Sequence, residues 1–223
     1  MTFLLEITSW IDTSFAVANR SLYFMLWNTF LAVIPWVISL WIFSGRRGHS
    51  SGRRRIGWWL GFVIFIAFLP NAPYVLTDVI HPVRYIREGV AMPIVTFVLI
   101  PQFFLFIWAG CEAYTLALIN FGHYLRRQGW EKWSSAMELS LHGLCAFGIY
   151  LGRFPRFNSW DLLTNPGSIV TFIVQEMGKL KPLITMGGFF CAIALVYWLL
   201  KHVTLALRLY WRSPDYRKSM KAR

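Results

Sequence analysis

Three long apolar runs stand out along the chain, at residues 22–43, 94–119 and 183–203. A helix needs about 20 mostly apolar residues to cross the hydrocarbon core of a bilayer. Each run reaches about that length with at most one charged residue. The pattern therefore predicts three membrane-spanning helices.

Two further apolar runs carry polar or helix-breaking residues. The run at 56–76 is interrupted by two prolines, and the run at 134–152 carries a glutamate and a histidine. We expect both to cross the membrane as well. The predicted fold class is an all-α membrane bundle of about five transmembrane helices, in a single integral membrane domain that covers residues 1–223.

Three remaining segments have a different pattern. Residues 1–19 repeat apolar side chains at steps of three and four, with polar side chains on the other faces. That pattern is typical of an amphipathic helix that lies in the membrane interface. We expect a second interfacial helix near 167–180 and a basic tail at 204–223.

The composition excludes the two main alternatives to a membrane protein. Hydrophobic residues make up 57% of the chain and charged residues 14%, whereas soluble domains average about 25% charged. Disordered chains are poor in aromatic residues, but this chain has 12 Trp, 19 Phe and 9 Tyr.

The net charge of +12 lies at the ends of the apolar runs. Segments 44–55, 121–135 and 201–223 hold 15 of the 22 Lys and Arg residues. Cytoplasmic loops are enriched in these residues, so we expect a cytoplasmic C-terminus and an N-terminus outside. Because no recognition motif accompanies the charge, no nucleic-acid partner is predicted, and the bilayer itself is the expected partner.

Two polar stretches are predicted to lie on the outer side, at residues 70–82 and 148–161. In the first, Asp78 and His81 are three residues apart, so a helical turn places them on one face. In the second, Arg153 ends an apolar run and is suited to bind a phosphate or carboxylate, or to pair with Asp78.

These stretches support a site hypothesis and a structural one. In the site hypothesis, Asp78 and His81 are the catalytic candidates. The ligand-binding candidates are Asn71, Tyr74, Arg153, Arg156, Asn158, Ser159 and Asp161. In the structural one, Asp78 and Arg153 neutralise each other as a clasp between two loops. No metal site is predicted, since Asp78, His81 and Asp161 match no metal-binding pattern.

Ionisable residues in the interior of the predicted spans include Glu112, Glu138 and His142. Such residues are costly in a membrane and usually face a partner in the bundle interior. We expect Glu112 and His142 to lie at similar depth and to form a paired structural contact. A proton path or a cofactor ligand is the alternative, but the sequence names no cofactor.

The two outer stretches resemble the motifs of an uncharacterised family of bacterial integral membrane proteins, known only as a domain of unknown function. The resemblance rests on PNAPY followed by TD and H, and on a later GRF-R-NSWD run. It covers nearly the whole chain. Pro155 departs from the second motif, in which a larger apolar residue is expected at this position. It implies a multi-pass fold in a bacterial inner or internal membrane and no particular activity.

The leading functional hypothesis is a membrane-embedded binder or enzyme that acts on an anionic lipid-like molecule at the outer leaflet. Arg153 and Arg156 hold the head group in this hypothesis, while Asp78 and His81 act as base, acid or ligand. The alternative is an accessory or assembly subunit of a larger membrane complex, for example one that carries pigments or quinones. A small transporter is disfavoured because five spans without a repeat do not form inverted halves.

Overall fold

The computed structural model describes residues 2–43, 56–157, 160–176 and 178–212, and every regular element in them is helical. The α-helices, in chain order, are α1 (Thr2–Phe43), α2 (Ile56–Phe68), α3 (Asn71–Tyr74), α4 (His81–Arg87), α5 (Met92–Ile94), α6 (Ile100–Arg127), α7 (Ser134–Arg153), α8 (Asp161–Thr164), α9 (Pro166–Glu176) and α10 (Leu180–Arg212). A 3₁₀ helix (Val75–Ile80) joins α3 to α4, and a π-helix (Val95–Leu99) joins α5 to α6. The predicted all-α class is confirmed for these residues.

Four helical stretches within the described residues are long and apolar enough to cross a membrane: Thr8–Phe43, Ile56–Arg87, Met92–Arg127 and Leu180–Trp211. They indicate a multi-pass membrane protein. The predicted fifth span corresponds to α7, which forms a helix of 20 residues but is not among the four. Its polar side chains lower its hydropathy, so the fifth crossing stays a prediction.

The chain ends differ in extent from the predicted segments. Residues 2–43 form one continuous helix, where the sequence pattern predicts an interfacial helix and a separate span. The predicted basic tail begins inside α10, which continues as far as Arg212. Near the predicted second interfacial helix, α9 covers Pro166–Glu176. That residues 1–19 or helix α9 lie in the membrane interface stays a prediction.

The second candidate span is broken where its two prolines fall. Helix α2 ends at Phe68, and the chain continues through α3, the 3₁₀ helix and α4. Proline lacks the backbone N–H that a helix interior requires, so Pro70 and Pro73 account for the break. One face nevertheless stays buried throughout, because a 3₁₀ helix repeats every three residues. Its members, each at most 1% exposed, are Phe65, Leu69, Ala72, Val75 and Asp78.

The residues group into two compact units. The first unit is formed by Met1–Ile42 and Ser51–Tyr114, and the second by Phe43–Ser50 and Thr115–Arg223. In the first unit, the Trp58 indole donates a hydrogen bond to the Ile42 carbonyl at 3.2 Å and so links α2 to α1. In the second unit, α7 packs along α10, and both helices contribute side chains to its core, among them Cys145, Ile149 and Ile193.

Candidate functional site

The first polar stretch forms a local acid–histidine pair in the first unit. The Asp78 side chain is 1% exposed, and its Oδ1 lies 3.6 Å from Nδ1 of His81. The same nitrogen lies 3.1 Å from the Asp78 backbone carbonyl. A carbonyl oxygen only accepts hydrogen bonds, so Nδ1 donates, and in the neutral ring Nε2 is the basic nitrogen.

Aromatic side chains from two other helices hold the His81 ring. Phe24 of α1 stacks on it with a centroid distance of 4.9 Å, and Phe103 of α6 stacks at 6.0 Å. The imidazole side chain remains 31% exposed. His81 is thus held by two aromatic rings and remains partly exposed.

Charged side chains lie one helical turn beyond the stacked rings. Arg20, four residues before Phe24, bonds Glu88 at 2.6 Å, and Arg84, three residues after His81, bonds the same carboxylate at 2.8 Å. The hydrogen bond from Arg84, and then that from Arg20, lower the pKa of Glu88 below its ordinary value of 4.5. The cluster therefore carries two guanidinium groups for one carboxylate.

The other residues of this stretch support the broken helix. The Asn71 amide donates to the Phe68 carbonyl at 3.0 Å, at the end of α2. The Thr77 hydroxyl donates to the Tyr74 carbonyl at 2.8 Å. Both bonds satisfy backbone oxygens near the break, which gives Asn71 a structural role. Tyr74 is half-buried.

The second polar stretch belongs to the second unit. Arg153 is the last residue of α7 and Asp161 the first of α8, and both are half-buried. Arg156 is exposed and has a φ of 63°, in the left-handed region that favours glycine. Asn158 and Ser159 lie outside the described residues. The predicted convergence of the two stretches on one site stays a prediction.

Aromatic contacts hold the turn after α7. The rings of Tyr150 and Phe154 stack at 4.7 Å, and Phe157 meets Phe172 of α9 at 5.9 Å. The Phe157 N–H donates to the Leu151 carbonyl at 3.1 Å. Arg156, the residue with the left-handed φ, therefore belongs to a turn that these contacts hold.

The predicted intramembrane acid Glu138 has a partner that the sequence did not reveal. Lys201 of α10 bonds both of its carboxylate oxygens, at 2.8 and 2.7 Å. One turn along α7, the 2%-exposed His142 packs against the ring of Tyr197 at 4.8 Å. Glu112 belongs to the first unit and His142 to the second, so their predicted contact stays a prediction.

A cavity of about 240 Å³ adjoins the Glu138–Lys201 pair in the second unit. Its walls come mainly from the end of α6, the start of α7 and α10. Glu131 adds to them from the 3₁₀ helix Glu131–Trp133 between α6 and α7. Its lining residues are Ile119, Gly122, His123, Arg126, Glu131, Ser134, Ser135, Glu138, Lys201 and Leu205. We call it the α6–α7–α10 cavity.

The sequence pattern missed Arg20, Glu88 and Lys201, although each had a partial signal. Glu88 follows Arg84 by four residues, the spacing of an ion pair on a helix. Lys201 lies inside an apolar run, where a charge calls for a partner. Partners 63 and 68 positions apart could not be assigned without the fold.

Comparisons with known proteins assign a family without an activity. No curated protein matches the chain, and no solved structure matches it. A family described as a protein of unknown function, DUF1361, matches residues 27–197. The matched segment exceeds half of the 223 residues and contains both polar stretches. The chain therefore belongs to the DUF1361 family.

Proposed function

We propose that this membrane protein binds or processes an anionic lipid-like molecule at the Asp78–His81 pair, on the outer side of the membrane. The observation that carries the proposal is the buried Asp78 carboxylate beside a fixed, part-exposed imidazole. Nδ1 of His81 is held by Asp78, so Nε2 is the atom that accepts or returns a proton. A histidine oriented in this way is suited to general acid–base work.

The flanking arginines support an anionic ligand. The side chains of Arg20 and Arg84 are 55% and 68% exposed, and both lie within one turn of the stacked rings. Their shared carboxylate, Glu88, leaves one positive charge uncompensated within this trio. Guanidinium groups bind phosphate and carboxylate oxygens in pairs of hydrogen bonds, so the cluster favours an anionic head group.

The surrounding surface supports a lipid-like ligand. The segment that buries Asp78 exposes apolar side chains around it, namely Val79, Ile80 and Val83, at 61%, 56% and 45%. In water this arrangement would be unfavourable, since apolar surface is costly to expose. It suits a ligand with an apolar tail beside an anionic head.

Two parts of the proposal are based on the sequence alone: the orientation in the membrane and the role of the second polar stretch. The distribution of Lys and Arg favours an N-terminus outside and a cytoplasmic C-terminus, which puts residues 70–82 on the outer side. Arg153 and Arg156 are further candidates for the head group. A bacterial inner or internal membrane is the expected location.

The test is native mass spectrometry of the full-length protein, extracted in mild detergent from its own host. We expect a retained anionic lipid in the unaltered protein and at least about tenfold lower retention in Asp78→Asn and Arg84→Ala. Arg87→Ala is the matched control, because Arg87 is an exposed arginine on the same helix α4. Phosphatidylglycerol nanodiscs, compared with phosphatidylcholine nanodiscs, test the preference for an anion directly.

Three results would contradict the proposal. Equal lipid loss in Arg84→Ala and Arg87→Ala would indicate a non-specific charge effect. Unfolding of Asp78→Asn, with lipid still bound to its folded fraction, would make the pair a structural clasp. Stoichiometric co-purification with a larger complex and no lipid would favour the accessory-subunit alternative.

A further inference from the structure

The α6–α7–α10 cavity has walls of balanced charge, and it lies in the unit that does not contain Asp78. Two cations and two acids line it as two ion pairs, Arg126 with Glu131 at 3.3 Å and Lys201 with Glu138 at 2.7 Å. Walls that carry both positive and negative groups but no net charge are complementary to a zwitterionic ligand. Each charged group of such a ligand meets a side chain of opposite charge.

The two ion pairs differ in exposure. Arg126 and Glu131 are 65% and 68% exposed, whereas Lys201 and Glu138 are 29% and 13% exposed. An exposed pair contributes little stability in water, so Arg126 and Glu131 separate at small cost when a ligand offers each of them a new partner. The part-buried pair keeps its two hydrogen bonds.

The size of the cavity and its neighbours indicate a head group rather than a large ligand. About 240 Å³ is below the roughly 300–1,000 Å³ of pockets that hold drug-sized molecules. Trp130 and Trp133, which flank Glu131 in the chain, are 47% and 65% exposed, and exposed tryptophans concentrate at the membrane interface. Leu205 adds an apolar wall for the start of an acyl chain.

We propose that this cavity binds the head group of a zwitterionic aminophospholipid, such as phosphatidylethanolamine. The phosphate lies at Arg126, with Ser134 as a further hydrogen-bond donor, and the ammonium lies at Glu131. This inference does not rest on the proposed function, which concerns the first unit and an anionic ligand.

The test titrates the delipidated full-length protein with three probes in native mass spectrometry. The probes are phosphatidylethanolamine, phosphatidylglycerol and soluble glycerophosphoethanolamine, each added to the detergent-solubilised protein. Binding at the cavity is the part that Arg126→Ala weakens. For this part we expect phosphatidylethanolamine to bind most tightly, and the substitution to weaken it about tenfold or more, as for the loss of a charged hydrogen bond. Lys132→Ala is the matched control, because Lys132 is an exposed cation of the same segment that does not line the cavity.

Glu131→Gln gives a second, independent readout. The substitution removes the partner of the ammonium and leaves the wall with a net positive charge, so the preference should shift from phosphatidylethanolamine toward phosphatidylglycerol. Arg126 and Glu131 are exposed, so we expect both variants to fold, and the thermal unfolding midpoint checks this.

Three results would overturn the inference. Phosphatidylglycerol could show binding that depends on Arg126 and is as tight as that of phosphatidylethanolamine, which would make the cavity a general lipid site. Lys132→Ala could weaken binding as much as Arg126→Ala does. Competition by glycerophosphoethanolamine at equal concentration would identify a soluble zwitterion, and not a lipid, as the ligand.

Discussion

The two units each contain a shielded acid with a basic partner, and the two pairs are built differently. In the first unit, Asp78 meets a histidine on its own segment, and the ring nitrogen also bonds the Asp78 backbone. In the second, Glu138 meets a lysine 63 positions away on another helix, through both carboxylate oxygens. The lysine pair joins two full charges on different helices, whereas the histidine pair joins a carboxylate to an imidazole on one segment.

This difference separates a structural anchor from a candidate site. A long-range pair of full charges holds two helices together, and removing one partner leaves a poorly solvated charge. A histidine that stacks on two aromatic rings is held by more than charge, so its partner can be altered with less damage to the fold. The predictions that follow test this contrast.

The largest effect is expected for single substitutions in the Glu138–Lys201 pair. Lys201→Met or Glu138→Gln leaves one charge at a part-buried position, so each should lower the free energy of unfolding by about 2–3 kcal/mol. The double variant should recover much of that loss. Asp78→Asn in the same detergent-based unfolding assay should cost about 1 kcal/mol or less, since the shape is kept and the backbone bond to His81 remains.

A double variant no more stable than the weaker single variant would show that the pair is not coupled. A cost for Asp78→Asn equal to that for Lys201→Met would remove the contrast between the two units.

The next effect concerns two glycines of α6, one in each unit. A Cβ at Gly110 would lie 2.7 Å from Val75 Cγ2 and 3.0 Å from the Ala72 carbonyl oxygen. Gly110→Ala should therefore cost about 2 kcal/mol through overpacking. A Cβ at Gly122 would lie 3.4 Å from Glu138 Oε1, which is the lower limit of ordinary van der Waals contact. Gly122→Ala should change stability by less than about 0.5 kcal/mol, because the greater helix propensity of alanine offsets the contact.

Thermal unfolding of the two glycine variants measures this difference. Equal midpoints would mean that the broken segment of residues 69–80 moves aside at little cost, contrary to the close packing at Gly110.

A smaller effect separates the two roles of His81. His81→Phe keeps a ring for stacking on Phe24 and Phe103, so its cost should be about 1 kcal/mol, for the lost hydrogen bond. His81→Ala also loses the stacking, which adds about 0.5–1.5 kcal/mol. Both variants lose the ring nitrogens, so lipid retention should fall equally in both. A greater loss of lipid in His81→Ala than in His81→Phe, in step with their stabilities, would argue for a purely structural histidine.

The same contrast explains what the sequence could predict. The proximity of Asp78 and His81 could be predicted, because it follows from their three-residue spacing and from two nearby prolines. Both are local features that can be seen in the sequence without the fold. The apolar runs likewise predicted where the membrane-length helices form. The continuous α1 was missed because the polar residues near position 20 suggested a boundary, although neither glycine nor proline is there to end a helix.

Long-range partners could not be predicted for a physical reason. Lys201 was counted among the cytoplasmic cations, because only its depth and its distance from Glu138 distinguish it from Arg208, and those depend on how α7 and α10 pack. Arg20 and Glu88 meet across 68 positions for the same reason. The cavity, whose walls come from three helices, is a further consequence of tertiary packing.

The smallest expected effect is a pH dependence carried by Glu88. Hydrogen bonds from Arg84 and then Arg20 lower the pKa of this carboxyl in the folded protein below its ordinary value of 4.5. The folded state therefore binds fewer protons than the unfolded state between the two pKa values, and stability falls as pH falls through that window. The contribution is fully present above about pH 4.5 and is lost at lower pH.

Glu88→Gln removes the titrating group while it keeps the size of the side chain. The variant should be slightly less stable than the unaltered protein at pH 6 and should approach it as the pH falls below 4.5. Thermal midpoints from pH 3 to pH 7 measure the difference, and Glu131→Gln, which alters an exposed pair in the second unit, is the comparison. Because Glu88 is exposed, added salt should shrink its contribution. A difference that grows toward low pH would reverse the expected sign and place the acid-sensitive group elsewhere in the protein.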